Sequence, residues 1–195
     1  MRILVAGVAS LLSLSAWADW KVDSAYSQIS FVSVKRDDMA EVQRFSEVTG
    51  VIDQAGKVRL AVPFSSLDDT PALQAERMRQ LLFRADEYPE AIITSEVDLT
   101  RWEDLPVGQV AQEHLDFELD LNGQKQRLKS KVQITRIGEE EVQVATLEPV
   151  VIKALDFSLE DGIEKLKQAG HVPSITPVVP VTVLLTLRYV PAPQT

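Results

Sequence analysis

The chain has no cysteine, only two histidines among 195 residues, and far fewer basic than acidic side chains. Each scarcity closes a class of function. Without thiols there is no disulfide, no thiolate nucleophile and no Cys-based zinc or iron–sulfur site. With His114 and His171 alone, a zinc site would need carboxylates to complete its three or four ligands. A Ser-His-Asp triad would have to use one of the same two residues. His114 falls on the polar side of an alternating segment and His171 follows a helix stop, so both read as solvated, and neither sits in a loop resembling a nucleophile elbow. Lys and Arg number 20 against 29 Asp and Glu, a formal net charge of −9 with no basic cluster. Such a surface repels nucleic acid and anionic headgroups.

Long apolar runs are also missing. The longest, Ile3 to Leu14, falls short of the roughly 20 residues that a bilayer span requires. With Arg2 before it and Ala16-Trp17-Ala18 after it, it reads as a signal peptide over residues 1–18, cleaved to leave one domain, 19–195. The expectation is therefore an exported protein. A domain of that size can stand without disulfide staples.

What is present is a period of two. His114-Leu115-Asp116-Phe117-Glu118-Leu119-Asp120-Leu121 alternates strictly, and Asn122-Gly123 follows. That dipeptide favours a tight hairpin turn because both central residues take positive φ. The chain returns through Leu128, Ser130, Val132 and Ile134. Phe117 and Leu119 should face inward and Glu118 and Asp120 outward. Further strands are expected over Gln28–Lys35, Phe45–Asp53, Lys57–Phe64, Ala91–Arg101, Val142–Lys153 and Val178–Val190. Short turns, such as Gln54-Ala55-Gly56, join most neighbours and imply an up-and-down meander of eight strands.

Two helices interrupt it. Thr70 as N-cap with Pro71 at the first helical position precedes a stripe of Leu73, Met78, Leu81 and Leu82. Ser158 as cap precedes Leu159, Ile163 and Leu166, with Gly170 at the stop. Both should cover the barrel's ends or seam. The tail Pro191-Ala192-Pro193 ends the last strand.

The residues Trp20-Lys21-Val22-Asp23, Ser27, Ile29 and Phe31 resemble the opening of the YceI-like family of lipid- or polyisoprenoid-binding proteins. Phe45 with Gly50-Val51-Ile52-Asp53, Arg77 with Leu81, Glu87-Tyr88-Pro89, Ser95 and Leu121-Asn122-Gly123 extend the likeness to about Tyr189. Tyr26, Gln43 and Met78 depart from the His, Gly and Asp common there. The resemblance implies an all-β, eight-stranded antiparallel, lipocalin-like barrel whose apolar tunnel holds an isoprenoid-like or acyl lipid in the periplasm.

The candidate tunnel lining is Phe31, Phe45, Phe64, Leu82, Phe83 and Phe117, with Leu119, Phe157, Ile163, Leu166 and Leu185. One phenylalanine in each of many successive segments suits either a lined tunnel or a filled core. The acidic pairs, Asp37-Asp38, Asp68-Asp69, Asp86-Glu87 and Glu160-Asp161, and the run Glu139-Glu140-Glu141, read as solvated turns. A glycosidase pair would need a spatial separation that sequence does not display. The expectation is thus a non-enzymatic periplasmic carrier of a long apolar ligand, with no cofactor or metal, no nucleic-acid partner and no stable membrane insertion. An enzyme acting on a lipid-linked substrate and a packed barrel without ligand stay open at this point.

Overall fold

The computed structural model describes residues 19–68 and 71–191; the expected signal peptide over residues 1–18, the expected N-cap Thr70 with Asp69, and the tail beyond Pro191 lie outside them. Twelve strand segments make one antiparallel sheet that closes on itself. The segments are β1 (Asp19–Val22), β2 (Gln28–Lys35), β3 (Met39–Phe45), β4 (Thr49–Ile52), β5 (Lys57–Pro63) and β6 (Leu67–Asp68). They continue as β7 (Glu90–Glu96), β8 (Val110–Leu121), β9 (Gln124–Gly138), β10 (Glu141–Thr146), β11 (Val150–Lys153) and β12 (Val178–Val190).

Four of the barrel's eight strands are broken ones. β1 and β2 both pair with β12, as do β10 and β11 on its other edge. β3 pairs with β2 and β6, while β4 pairs with β1 and β5. Joining the pieces gives a lipocalin-like meander of eight strands in sequence order, closed between the last and the first. Closure leaves no long free edge. At the first break Asp23 accepts a hydrogen bond from the Ala25 N–H, and Ser27 Oγ both donates to the Asp23 carbonyl and accepts from the Thr186 N–H. The lost ladder bonds are thus replaced by side-chain ones.

The expected hairpin is present in its expected register. Phe117 faces Leu128 and Leu119 faces Gln126 across β8 and β9, and Asn122 and Gly123 adopt φ of 56° and 73°. Asn122 is buried besides: its side chain accepts from Arg84 Nε at 3.0 Å and donates to the Phe157 carbonyl at 3.1 Å.

Several expectations require correction. The second strand starts at Met39, not Phe45, and breaks between Phe45 and Thr49; the polar residues Glu41 and Gln43 on its inward side mask its first half. β7 ends at Glu96, and Thr100–Glu103 forms the short helix α2 instead of strand. Asp98 causes that, accepting from the Thr100 N–H and hydroxyl. Helix α1 (Ala72–Arg77) continues into a wider turn over Met78–Leu82, closed by the Phe83 N–H bonding the Met78 carbonyl. Pro71 precedes α1 instead of opening it, its carbonyl accepting the Gln74 and Ala75 N–H groups. Leu73 belongs to no buried stripe; it is 64% exposed. Ser158 is no N-cap of α3 (Glu160–Gly170): it ends the preceding Ala154–Phe157 turn with φ of 53°, and Leu159 holds the cap position. The left-handed residue after α3 is His171, not Gly170.

α3 packs on the wide turn Met78–Leu82 that follows α1. A Cβ placed on Gly162 would lie 2.7 Å from the Leu81 carbonyl oxygen and 2.9 Å from Leu82 Cα, so only glycine permits this approach. Ala intrinsically favours helix by up to ~1 kcal/mol over Gly. Backbone overlap costs about 1–3 kcal/mol and should win. Gly162→Ala should therefore lower the urea midpoint; an unchanged or raised midpoint would show that α3 lifts freely off the turn.

Candidate functional site

Because side chains alternate along each strand, the inward faces of the barrel converge on its axis. They surround a cavity of about 470 Å³. Phe31 on β2, Phe45 on β3, Phe64 after β5, and Phe117 and Leu119 on β8 all line it. So do Leu185 on β12, Leu82 and Phe83 at the end of the turn after α1, and Ile163 and Leu166 on α3. Four of the rings form one cluster: Phe64 stacks on Phe83 at 4.4 Å between centroids, and Phe45 touches Phe31, Phe64 and Phe83 at 5.7–6.0 Å.

Phe157 is the exception among the expected lining residues. It is buried but does not reach the cavity, because it sits on the short turn between β11 and α3, off the inward rows of the strands. The wall also contains aliphatic residues that a search for aromatics passes over. Leu60 and Val62 alternate with Ala61 on β5, and Val179, Val181 and Val183 alternate on β12. A count of period-two aliphatics would have found them.

The two ends differ. At one, α2 places Trp102 into the barrel, 2% exposed and part of the cavity wall. Its indole Nε1 and the inward Ser130 Oγ are buried without a hydrogen-bond partner. Beside them Glu113 turns inward from β8, its charge met by Arg101 of α2 at 3.3 Å. Arg136 closes the same end, donating to the Trp102 and Gly138 carbonyls.

At the other end, under α1 and beside the segment after α3, the inward rows of β2 and β3 become polar. Ser33 and Lys35 follow Phe31 on one strand, and on the next Gln43 stands opposite Phe31 and Glu41 opposite Ser33. Lys35 Nζ lies 2.6 Å from Glu41 Oε2. Gln43 and Gln74 of α1 donate to that oxygen at 3.2 and 2.9 Å, and Ser33 Oγ donates to Gln43 at 3.1 Å. Partial burial pushes the Glu41 carboxyl up. The hydrogen bonds from Lys35, Gln74 and Gln43, with the lysine's charge, outweigh it and hold the carboxyl below its ordinary range. Arg77 of α1 completes this end of the wall.

His114 and His171 are exposed. Among the described residues no group of three or more His, Asp or Glu is placed to hold a metal ion, and no helix is long and apolar enough to cross a membrane.

The model of the YceI-like domain matches residues 20–187. Among solved structures the chain is similar to a polyisoprenoid binding domain from Saccharophagus degradans implicated in plant cell wall breakdown. The two share 31% identity with a TM-score of 0.85, over 92% of this chain and 99% of that one. BcnA of Burkholderia cenocepacia is similar at 17% identity and TM-score 0.62, over 85% and 98% of the two chains. The YCEI protein of Campylobacter jejuni follows at 13% and 0.53, over 74% and 82%. At these lower identities the likeness speaks for the fold alone. No curated protein sequence matches the chain.

Proposed function

We propose, for a chain that belongs to the YceI-like family, that the cavity holds a polyisoprenoid or other long apolar chain and that the protein carries it in the periplasm without chemical change. The observation that carries the reading is an apolar wall continuous from Trp102 at one end of a closed barrel to Met78 under α1 at the other. The resemblance to a polyisoprenoid binding domain supports it. Residues 1–18 fit the same reading as a leader removed on export, leaving a single domain from Asp19 to Thr195.

The energetics suit a carrier. Each CH₂ taken out of water contributes roughly 0.8 kcal/mol, so a few prenyl units approach the practical ceiling of about 18–21 kcal/mol before costs. A bilayer offers the same burial, so exchange between protein and membrane lies near balance. A dry wall needs no reactive group to do this.

Binding isotherms for prenyl alcohols of increasing length test the proposal, together with native mass spectrometry of protein purified from its own host. Affinity should rise with chain length until the tunnel is full, and the native protein should carry an apolar chain. A flat response across the series, with no apolar ligand in native material, would leave a packed barrel instead.

A further inference from the structure

We infer that the polar end of the cavity is a headgroup site for an amphiphile with one anionic head, a carboxylate or a phosphate, held by Arg77. The inference rests on the carrier reading above and adds the ligand's head and its direction in the tunnel.

Arg77 follows Gln74 by three residues, so the two share one face of α1, and both line the cavity. The nearby carboxylates are already committed. Glu41 is held by Lys35, Gln43 and Gln74, and Glu76 by Arg79 and Gln80. Among the described residues Arg77 pairs with none, although it is half-buried at the edge of an apolar wall. In a chain of net charge −9, an end where two lining cations meet one carboxylate inverts the local sign.

Guanidinium presents a planar fork that matches the paired oxygens of carboxylate or phosphate. Partial desolvation by the surrounding wall strengthens that pairing. The opposite end offers something different: the unpartnered Trp102 Nε1 and Ser130 Oγ are neutral donors. An anionic head is therefore best satisfied beside α1, with the tail running toward Trp102.

The test uses one prenyl chain with three heads. Farnesol, farnesoic acid and farnesyl monophosphate are titrated into delipidated wild-type protein and into Arg77→Gln, Arg77→Lys and Arg79→Gln. In the wild type the acid, the phosphate or both should bind about tenfold tighter than the alcohol, and the tighter of the two names the head. Arg77→Gln should bring that ratio near one, Arg77→Lys should recover part of it, and Arg79→Gln should keep it. An alcohol that binds wild type as tightly as both anions overturns the headgroup site, while the tunnel reading stands. So does a ratio that survives Arg77→Gln but collapses in Ser130→Ala, which would put the head at the deep end. If none of the three binds wild type, the carrier reading fails and this inference fails with it.

Discussion

Leu119→Asp should abolish uptake of a prenyl chain. Leu119 is the last inward residue but one on β8, opposite Ile93 of β7, and is 8% exposed. A carboxylate placed there has no cation on the adjoining wall: its inward neighbours on the same strand are Phe117 and Leu121. It must either stay charged in apolar surroundings at a cost of several kcal/mol, or bind a proton, or draw water into the tunnel. Each outcome spoils a dry wall. A loss of at least 3 kcal/mol in binding corresponds to more than a hundredfold in Kd. Asp120→Leu is the control, since Asp120 points to the opposite face of the sheet and pairs across the hairpin with Lys125. It should leave Kd within a few-fold. The measurement is an isotherm for farnesol on each variant, with near-UV circular dichroism to show the fold intact. Tight binding by folded Leu119→Asp would place the ligand outside the barrel.

That prediction was legible in sequence because the segment from His114 to Leu121 alternates without a fault and ends in Asn-Gly. Local pattern and global fold agree there, and the register follows. Strand β3 shows why other stretches hide. Before Phe45 its inward side chains are Glu41 and Gln43, while Val42 stands 64% exposed on the outside. The polarity is inverted, so the pattern points away from a strand at the place where the barrel lining turns polar. A sequence reading that equates inward with apolar misses such residues by construction.

Trp102 was hidden for another reason. Four residues of helix are too short for periodicity, and Asp98, which accepts from Thr100 just ahead of them, resembles any turn residue. Phe157 misled in the opposite sense: an aromatic in the expected segment, it falls on a helical turn where alternation does not govern direction. Arg77 was visible as a residue type, but only the barrel's closure brings it to the cavity that holds Lys35. Contacts of this kind depend on sequence separation bridged by the fold, and no local signal carries them.

The second large effect concerns whether the interior is filled or hollow. Phe64→Ala should destabilise the barrel by about 3–5 kcal/mol, as truncation of a fully packed phenylalanine does. Phe64 is 1% exposed and lies flat on Phe83 with 12° between ring planes, and Phe45 touches both rings. Removing it leaves a void that two rigid neighbouring rings cannot close. Phe64 and Phe117 both line the cavity, but Phe117 is only half-buried and, among the described residues, stacks on no other ring. Its ring already borders open space, so truncation forfeits fewer contacts and creates no new enclosed void. Phe117→Ala should cost about 1–2 kcal/mol, near the value of transferring the ring's buried area alone. Urea unfolding of both variants checks the difference, provided the slopes stay equal so that the midpoints report stability. The binding effects should run the other way. Phe117→Ala widens the tunnel and should shift the preferred chain toward bulkier ligands, whereas Phe64→Ala should weaken binding of all lengths by loosening the wall. Equal destabilisation by the two substitutions would mean that Phe117 is packed as tightly as Phe64. The barrel would then be filled by its own side chains, and a ligand would have no room in it.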